Sequence, residues 1–349
     1  MTDPLLIETA TRAFADTCTF SAVQAAEGDG WAAGVWEAAA SIGLPWVSVA
    51  EAAGGSGGTV SDAVAVLVAA GQHAAPVPVA ETGLLAGWLL ASAGLPLGEG
   101  PLTVVPGHPA DDLRLDGDRL TGTAHRVPWA RSAARIAAIV DGQVVSVAPT
   151  HGHVEPLANV AGEPRDTITF DRAPVDGAAP APTGVDAEAL CFRGALSRAA
   201  LMAGALEAMA RMSATYTAER RQFGRAVAGF QAVQALLVRC AEEAVLVDLA
   251  VQVAAREADR GAARFEIASA KVLANDAART ATRAAHQAHG AMGMTQEYPL
   301  HHLSRRLWAW RAEYGDAVWT ARLGRSVAAA GPDLLFPAIS EGSASGISV

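Results

Sequence analysis

Lysine is nearly missing from this sequence of 349 residues. Lys271 is the only one, so arginine supplies the rest of the 26 basic side chains. Cysteine is almost as scarce. Cys18, Cys191 and Cys240 stand far apart and give neither a disulfide framework nor a ladder of metal ligands. No run reaches the ~20 uncharged apolar residues that a membrane span needs. The opening Met1-Thr2-Asp3-Pro4 lacks the basic and apolar regions of a signal peptide. There is no basic excess either, and a net charge of −10 argues against a nucleic-acid partner. What the chain does have is 51% hydrophobic residues against 18% charged ones, ample material for a core. The expectation is a cytoplasmic protein of two or three domains, with no membrane span.

Charge is unevenly spread. Residues 1–100 carry ten acidic side chains and one basic one, Arg12, while the remainder is close to neutral. Such asymmetry predicts a separate N-terminal unit. Residues 1–98 read as helices broken by glycine, among them one ending near Gly43, an apolar run behind Ser61-Asp62, and a helix over 81–93. Gly54-Gly55-Ser56-Gly57-Gly58 marks a turn where backbone passes close to something else. Over 99–182 the pattern changes to short β-rich runs: 102–105, 120–123, 136–140, 144–148 and 167–170. Asp141-Gly142 sits between two of them like a hairpin turn. A small antiparallel sheet or barrel fits, with 176–185 as a linker. Residues 183–330 read as a bundle of long helices. Phe230, Val233, Leu237, Cys240, Ala244, Val247, Val251 and Ala254 alternate three and four apart, the mark of a helix packed along one stripe. An alanine-rich helix follows over 262–288, and another segment ends near Ala329. Residues 331–349 read as a tail. The fold class expected is α+β and multi-domain: N-terminal helices, a small central antiparallel β domain, and a C-terminal four-helix bundle.

Two segments gather functional chemistry. In Tyr216-Thr217-Ala218-Glu219-Arg220-Arg221-Gln222-Phe223-Gly224-Arg225, glycine breaks one helix, and the next begins at Phe230. Guanidinium groups beside a helix N-terminus suit a phosphate diester, although a charged helix connection reads the same way. The second segment is His286-Gln287-Ala288-His289-Gly290-Ala291-Met292-Gly293, where the glycines allow close backbone approach. His286 and His289 have helical i,i+3 spacing, but no carboxylate or cysteine joins them, so no metal is expected.

In this order, and in a helix–β–helix chain, these segments resemble the acyl-CoA dehydrogenase family. Gly43-Leu44 with the downstream Glu51-Ala52-Ala53-Gly54-Gly55-Ser56-Gly57-Gly58 supports the resemblance, as does Phe170-Asp171 ahead of Val175. It implies FAD as cofactor, an acyl-CoA substrate, and an electron acceptor such as an electron-transfer flavoprotein. It also implies four chains, either identical or two of each kind. The family's arginine motif, which serves the flavin pyrophosphate and adenine side across a subunit interface, carries to Arg220, Gln222, Phe223, Val227 and Gln231. Its glutamine–glycine motif carries to Gln287, Gly290 and Ala291, with alanine where a second glycine is common. Trp129, Arg131 and Ser132 stand near the family's flavin-edge contacts, in a stretch shorter than usual.

The reaction implied is α,β-dehydrogenation, with a proton leaving Cα for a carboxylate and hydride passing to flavin N5. Most members place the carboxylate just before a glycine near the end of the bundle. Aligning Gly315 puts Tyr314 there and Glu313 one residue early. The alternative family position falls at Gly194. Three readings follow: a flavin enzyme with Glu313 as base, a subunit of a two-chain dehydrogenase whose partner supplies the base, or a structural member without turnover. Fatty, branched and steroid side-chain acyl groups all stay open.

Overall fold

Residues 2–261, 263–331, 333, 334, 336 and 349 are described in this computed structural model, so most of the expected tail lies outside the described residues. The chain opens with helices α1 (Pro4–Thr17), α2 (Phe20–Asp29), α3 (Ala33–Ser41) and α4 (Val60–Gln72). Asp3 caps α1 through the amide of Leu5, and Thr59 with Asp62 forms a reciprocal capping box on α4. The glycine cluster at 54–58 folds back on its own preceding turn. Gly57 N–H donates to Val49 O and Gly58 N–H to Val47 O, both at 2.8 Å. A Cβ on Gly55 would lie 2.2 Å from Val49 O, which is why the cluster is glycine-rich. A buried π-helical segment, Ala80–Gly87, then runs into α5 (Trp88–Ser92).

Eight strands follow: β1 (Leu102–Val104), β2 (Arg114–Asp116), β3 (Arg119–Pro128), β4 (Arg135–Val140), β5 (Gln143–Val147), β6 (His153–Glu155), β7 (Arg165–Pro174) and β8 (Gly177–Pro180). They form two four-stranded sheets, ordered β1-β4-β5-β8 and β2-β3-β7-β6. All pairs are antiparallel except β1 with β4, which is parallel. The 176–185 stretch expected as a linker therefore contributes an edge strand. Asp141 and Gly142 both adopt positive φ, as a two-residue hairpin between β4 and β5 requires. Leu120, Val127, Ile136, Val145, Ile168 and Phe170 fill the space between the sheets. The outer face of the first sheet packs Leu102, Val104 and Val144 against Leu85, Leu89 and Leu90.

Helix α6 (Ala187–Glu219) leads to a two-residue ribbon, β9 (Arg221–Gln222) with β10 (Arg225–Ala226), and then to α7 (Gln231–Ala258), α8 (Arg264–His289), α9 (Leu300–Ala312) and α10 (Ala317–Ala330). By length and composition α6 could cross a membrane, but 83% of its most apolar window is buried inside the protein. Glycines bring it against α4. A Cβ on Gly204 would lie 1.9 Å from Val68 O, and one on Gly71 2.1 Å from Leu201 O. One hydrophobic core therefore runs from α1, α3 and α4 into α6, α7 and α8, and the acidic N-terminal helices share it with the bundle.

Candidate functional site

The 216–225 and 286–293 segments meet at one end of the bundle. Arg220 closes α6, its amide donating to Tyr216 O at 2.9 Å while its carbonyl accepts from Val227 N–H at 2.8 Å. Gln222 pairs with Arg225 across the ribbon, with Phe223 and Gly224 at positive φ in its turn. Phe223 is 90% exposed, and Arg225 stacks on Phe230, 3.9 Å from the ring centre. No side chain caps α7, so its first amides stand beside these arginines at Gln231. At the end of α8, Gln287 is exposed and Gly290 adopts φ +60° with ψ −138°, opening a short 3₁₀ turn that contains Ala291. A Cβ on Gly290 would meet nothing within 4 Å, so this backbone is open. Tyr216 stacks on His289 at 4.6 Å, which joins the ends of α6 and α8. His289 Nδ1 lies 2.8 Å from Ala285 O, inside its own helix.

Glu313 lies elsewhere. It follows α9 in an extended conformation, so the helix ends at Ala312. Arg165 grips its carboxylate with Nε at 2.7 Å and Nη2 at 3.1 Å, and Arg198 Nε reaches it at 2.6 Å. Arg198 Nη2 also donates to Glu81 at 2.6 Å. Glu163 accepts from Arg165 Nη2 and from the Trp310 indole, both at 3.0 Å, and lies 3.4 Å from Arg306 Nε. Three carboxylates and three guanidinium groups are balanced in the interior. Burial alone would push the Glu313 carboxyl up, but Arg165 and Arg198 hold it down at about 2. That is the setting of a structural anion; a general base needs a pKa nearer the operating pH.

Tyr314 and Gly194, the two positions aligned above with the family's base, also meet here. Tyr314, at φ +51°, lays its ring on Gly194, where a Cβ would come within 2.2 Å of Cδ1. Its phenol is buried, which raises its pKa well above the usual value. Gly315 follows at φ +94°, and a Cβ there would lie 2.6 Å from Trp319 Nε1. The segment is fixed from beneath by the only lysine. Lys271 is fully buried and donates to Trp310 O at 2.9 Å, Arg311 O at 3.0 Å and Asn275 Oδ1 at 2.9 Å. It thus caps the last carbonyls of α9. Burial lowers its pKa to about 7, with Glu313 opposing the shift.

The sequence reading missed Glu81, Glu163, Arg165 and Arg198. The one available signal was a lone arginine, Arg198, inside the otherwise apolar and small-residue run from Gly194 to Leu206.

Residues 191–316 match the family model described as acyl-CoA dehydrogenase, C-terminal domain. The chain is 30% identical over 293 residues to acyl-CoA dehydrogenase FadE28 of Mycobacterium tuberculosis, an alignment spanning 76% of this chain and 84% of that protein. The chain belongs to the acyl-CoA dehydrogenase family.

Acyl-CoA dehydrogenase FadE27 of the same organism is 29% identical over 310 residues, spanning 76% of this chain and 80% of that protein. Among solved structures, the ChsE4-ChsE5 complex from Mycobacterium tuberculosis superimposes with a TM-score of 0.85 at 26% identity, covering 94% of this chain and 98% of that one. As an acyl-CoA dehydrogenase family member the chain has the helix–sheet–helix fold of these flavoproteins. The stretch around Trp129, expected near the flavin edge, is held by contacts within the chain. Trp129 is 3% exposed with the Arg165 guanidinium 4.8 Å above its ring. Arg131 binds Asp166, through its backbone N–H and its Nε at 3.0 Å each.

Proposed function

We propose that this chain is one subunit of a two-chain acyl-CoA dehydrogenase. On this reading its arginine ribbon completes a flavin site, and the partner subunit supplies the carboxylate that takes the Cα proton. The observation that carries the proposal is the grip of Arg165 and Arg198 on Glu313. Proton abstraction by Glu313 would require it to leave two charge-assisted pairs, and its pKa of about 2 makes it a poor acceptor. Tyr314 over Gly194 leaves neither family base position with a carboxylate.

Distance supports a shared site. Arg198 and Arg220 are 22 residues apart on α6 and its cap, roughly 33 Å at ~1.5 Å per residue. On this reading the ribbon and the Glu313 region of one chain serve different cofactors. FAD fits the ribbon end. Arg220, Gln222 and Gln231 would hold its pyrophosphate with the uncapped start of α7, Phe223 and Val227 would give an apolar wall, and the exposed Gln287 side chain would lie nearby with the backbone of Gly290 and Ala291. When bound, FAD supplies the hydride acceptor for dehydrogenation of an acyl-CoA thioester. The similarity to a structure solved as the ChsE4-ChsE5 complex agrees with assembly from unlike chains.

The test compares the chain alone with the chain co-expressed alongside a family member that carries a carboxylate at either base position. Expected is no bleaching of flavin by acyl-CoA for the chain alone, and bleaching by the pair. Arg220→Ala should lower flavin retention by the pair about tenfold, the loss of one charge-assisted bond. Bleaching by the chain alone, slowed about 10² or more by Glu313→Gln, would restore Glu313 as the base and sink the proposal. A colourless assembly indifferent to FAD would instead favour the structural role.

A further inference from the structure

The turn after β1 carries His108 and Asp111, and β3 carries His125 beside an irregularity in its pairing with β7. One ligand atom from each of the three lies within 4.8 Å of the other two. None is fully exposed: the Asp111 side chain retains 13% of its surface and His125 32%. Asp111 is already held in place. One carboxylate oxygen accepts from His108 N–H at 2.7 Å, and the other from His125 N–H at 2.7 Å, with His125 Nδ1 at 3.2 Å. The imidazoles of His108 and His125 are 5.4 Å apart, centre to centre.

Charge is what distinguishes this cluster. Among the described residues, no arginine or lysine lies within ion-pair distance of Asp111, although its carboxylate is mostly out of water. A buried carboxylate without a full positive partner is costly. Two imidazole nitrogens facing it are the donors that borderline cations such as zinc prefer. The other comparable group, Glu27 with His301 and His302, differs in this respect. Arg305 already pairs with Glu27 at 2.7 Å, and burial together with His301 and Arg306 lowers the His302 pKa.

We propose that His108, Asp111 and His125 form a site for a single divalent transition cation, zinc in particular, with water completing a tetrahedral set. Ligand atoms around tetrahedral zinc lie roughly 3.4 Å apart, given bonds of about 2.0–2.1 Å. The cluster must therefore contract by up to about 1.4 Å, within reach of imidazole rotation. The cation would bridge His125 and Asp111 and pin the 106–112 turn to β3, four residues ahead of Trp129. It stands independently of the proposed subunit function.

The test is a zinc titration of the untagged, metal-stripped full chain by calorimetry, repeated with cobalt(II) to read its visible spectrum. Expected are one zinc per chain bound more tightly than about 10 µM, a cobalt spectrum of tetrahedral type, and a rise in melting temperature on zinc addition. His108→Gln, a change in a surface turn, and His125→Gln should each weaken binding at least tenfold while retaining the parent's circular dichroism. Absence of stoichiometric binding would overturn the proposal. So would binding unaffected by both substitutions, or lost instead in His301→Gln.

Discussion

Glu313 shows how a single carboxylate is redefined by its neighbours. One residue short of the position before Gly315, it is the carboxylate that the sequence offers as a base; in the fold it is paired with Arg165 and Arg198. Breaking such a pair from one side leaves buried charge uncompensated. Glu313→Gln should therefore cost on the order of 3 kcal/mol in urea unfolding, and Arg198→Met at least as much. The sign with pH follows from the depressed carboxyl. Stability from this group is fully present above its unfolded value near 4.5 and is lost as pH falls toward about 2. Acid titration of unfolding free energy should show the parent losing ground to Glu313→Gln over that window. An unchanged difference would mean that the pair carries no net stability. Apart from the lone arginine at Arg198, this was not legible in the sequence, because Glu81, Arg165, Arg198 and Glu313 come from four segments up to 232 positions apart.

At the scale of elements, long periodic segments were legible and nonlocal pairing was not. The stripe Cys240, Ala244, Val247, Val251 and Ala254 is buried along α7 as its spacing required. The parallel match of β1 with β4 has no local signature, and β8 is built from Gly177-Ala178-Ala179-Pro180, which has little strand propensity and is a strand because β5 holds it. The 216–225 and 286–293 segments stand out in the sequence because each is contiguous, whereas the Glu313 surroundings are assembled by packing. Helix α9 depends on such packing at its end. Lys271 binds three oxygens there, and its pKa of about 7 lies below the unfolded value near 10.5. Between those values the unfolded chain binds the extra proton, so this lysine makes stability rise with pH. The unfolding free energy of the parent minus that of Lys271→Met should increase from pH 7 to 10. A flat difference would show that Lys271 stays charged in the folded chain.

For the whole molecule, the surface of α7 is the feature that the core leaves unused. Val238, Val245 and Leu249 are 55%, 69% and 56% exposed. At about 100° per residue they fall within about 40° of one another on the helix. They form an apolar strip opposite the buried one, on the helix that follows the arginine ribbon. A subunit whose ribbon reaches into another chain's flavin site needs a contact of this kind. The paired substitution Val245→Asp with Leu249→Asp should lower the assembled mass by light scattering at micromolar concentration, with the circular dichroism of the single chain unchanged. Retention of the parental mass would place the contact on another face.

The solitary lysine also governs how this chain can be handled. Reagents that modify or cross-link lysine amines find no target side chain in the folded protein, because Lys271 is sealed beneath α9. The same side chain becomes reactive once α9 lifts, so uptake of an amine-directed dye at Lys271 is a one-site clock for local opening of the segment that carries Glu313 and Tyr314.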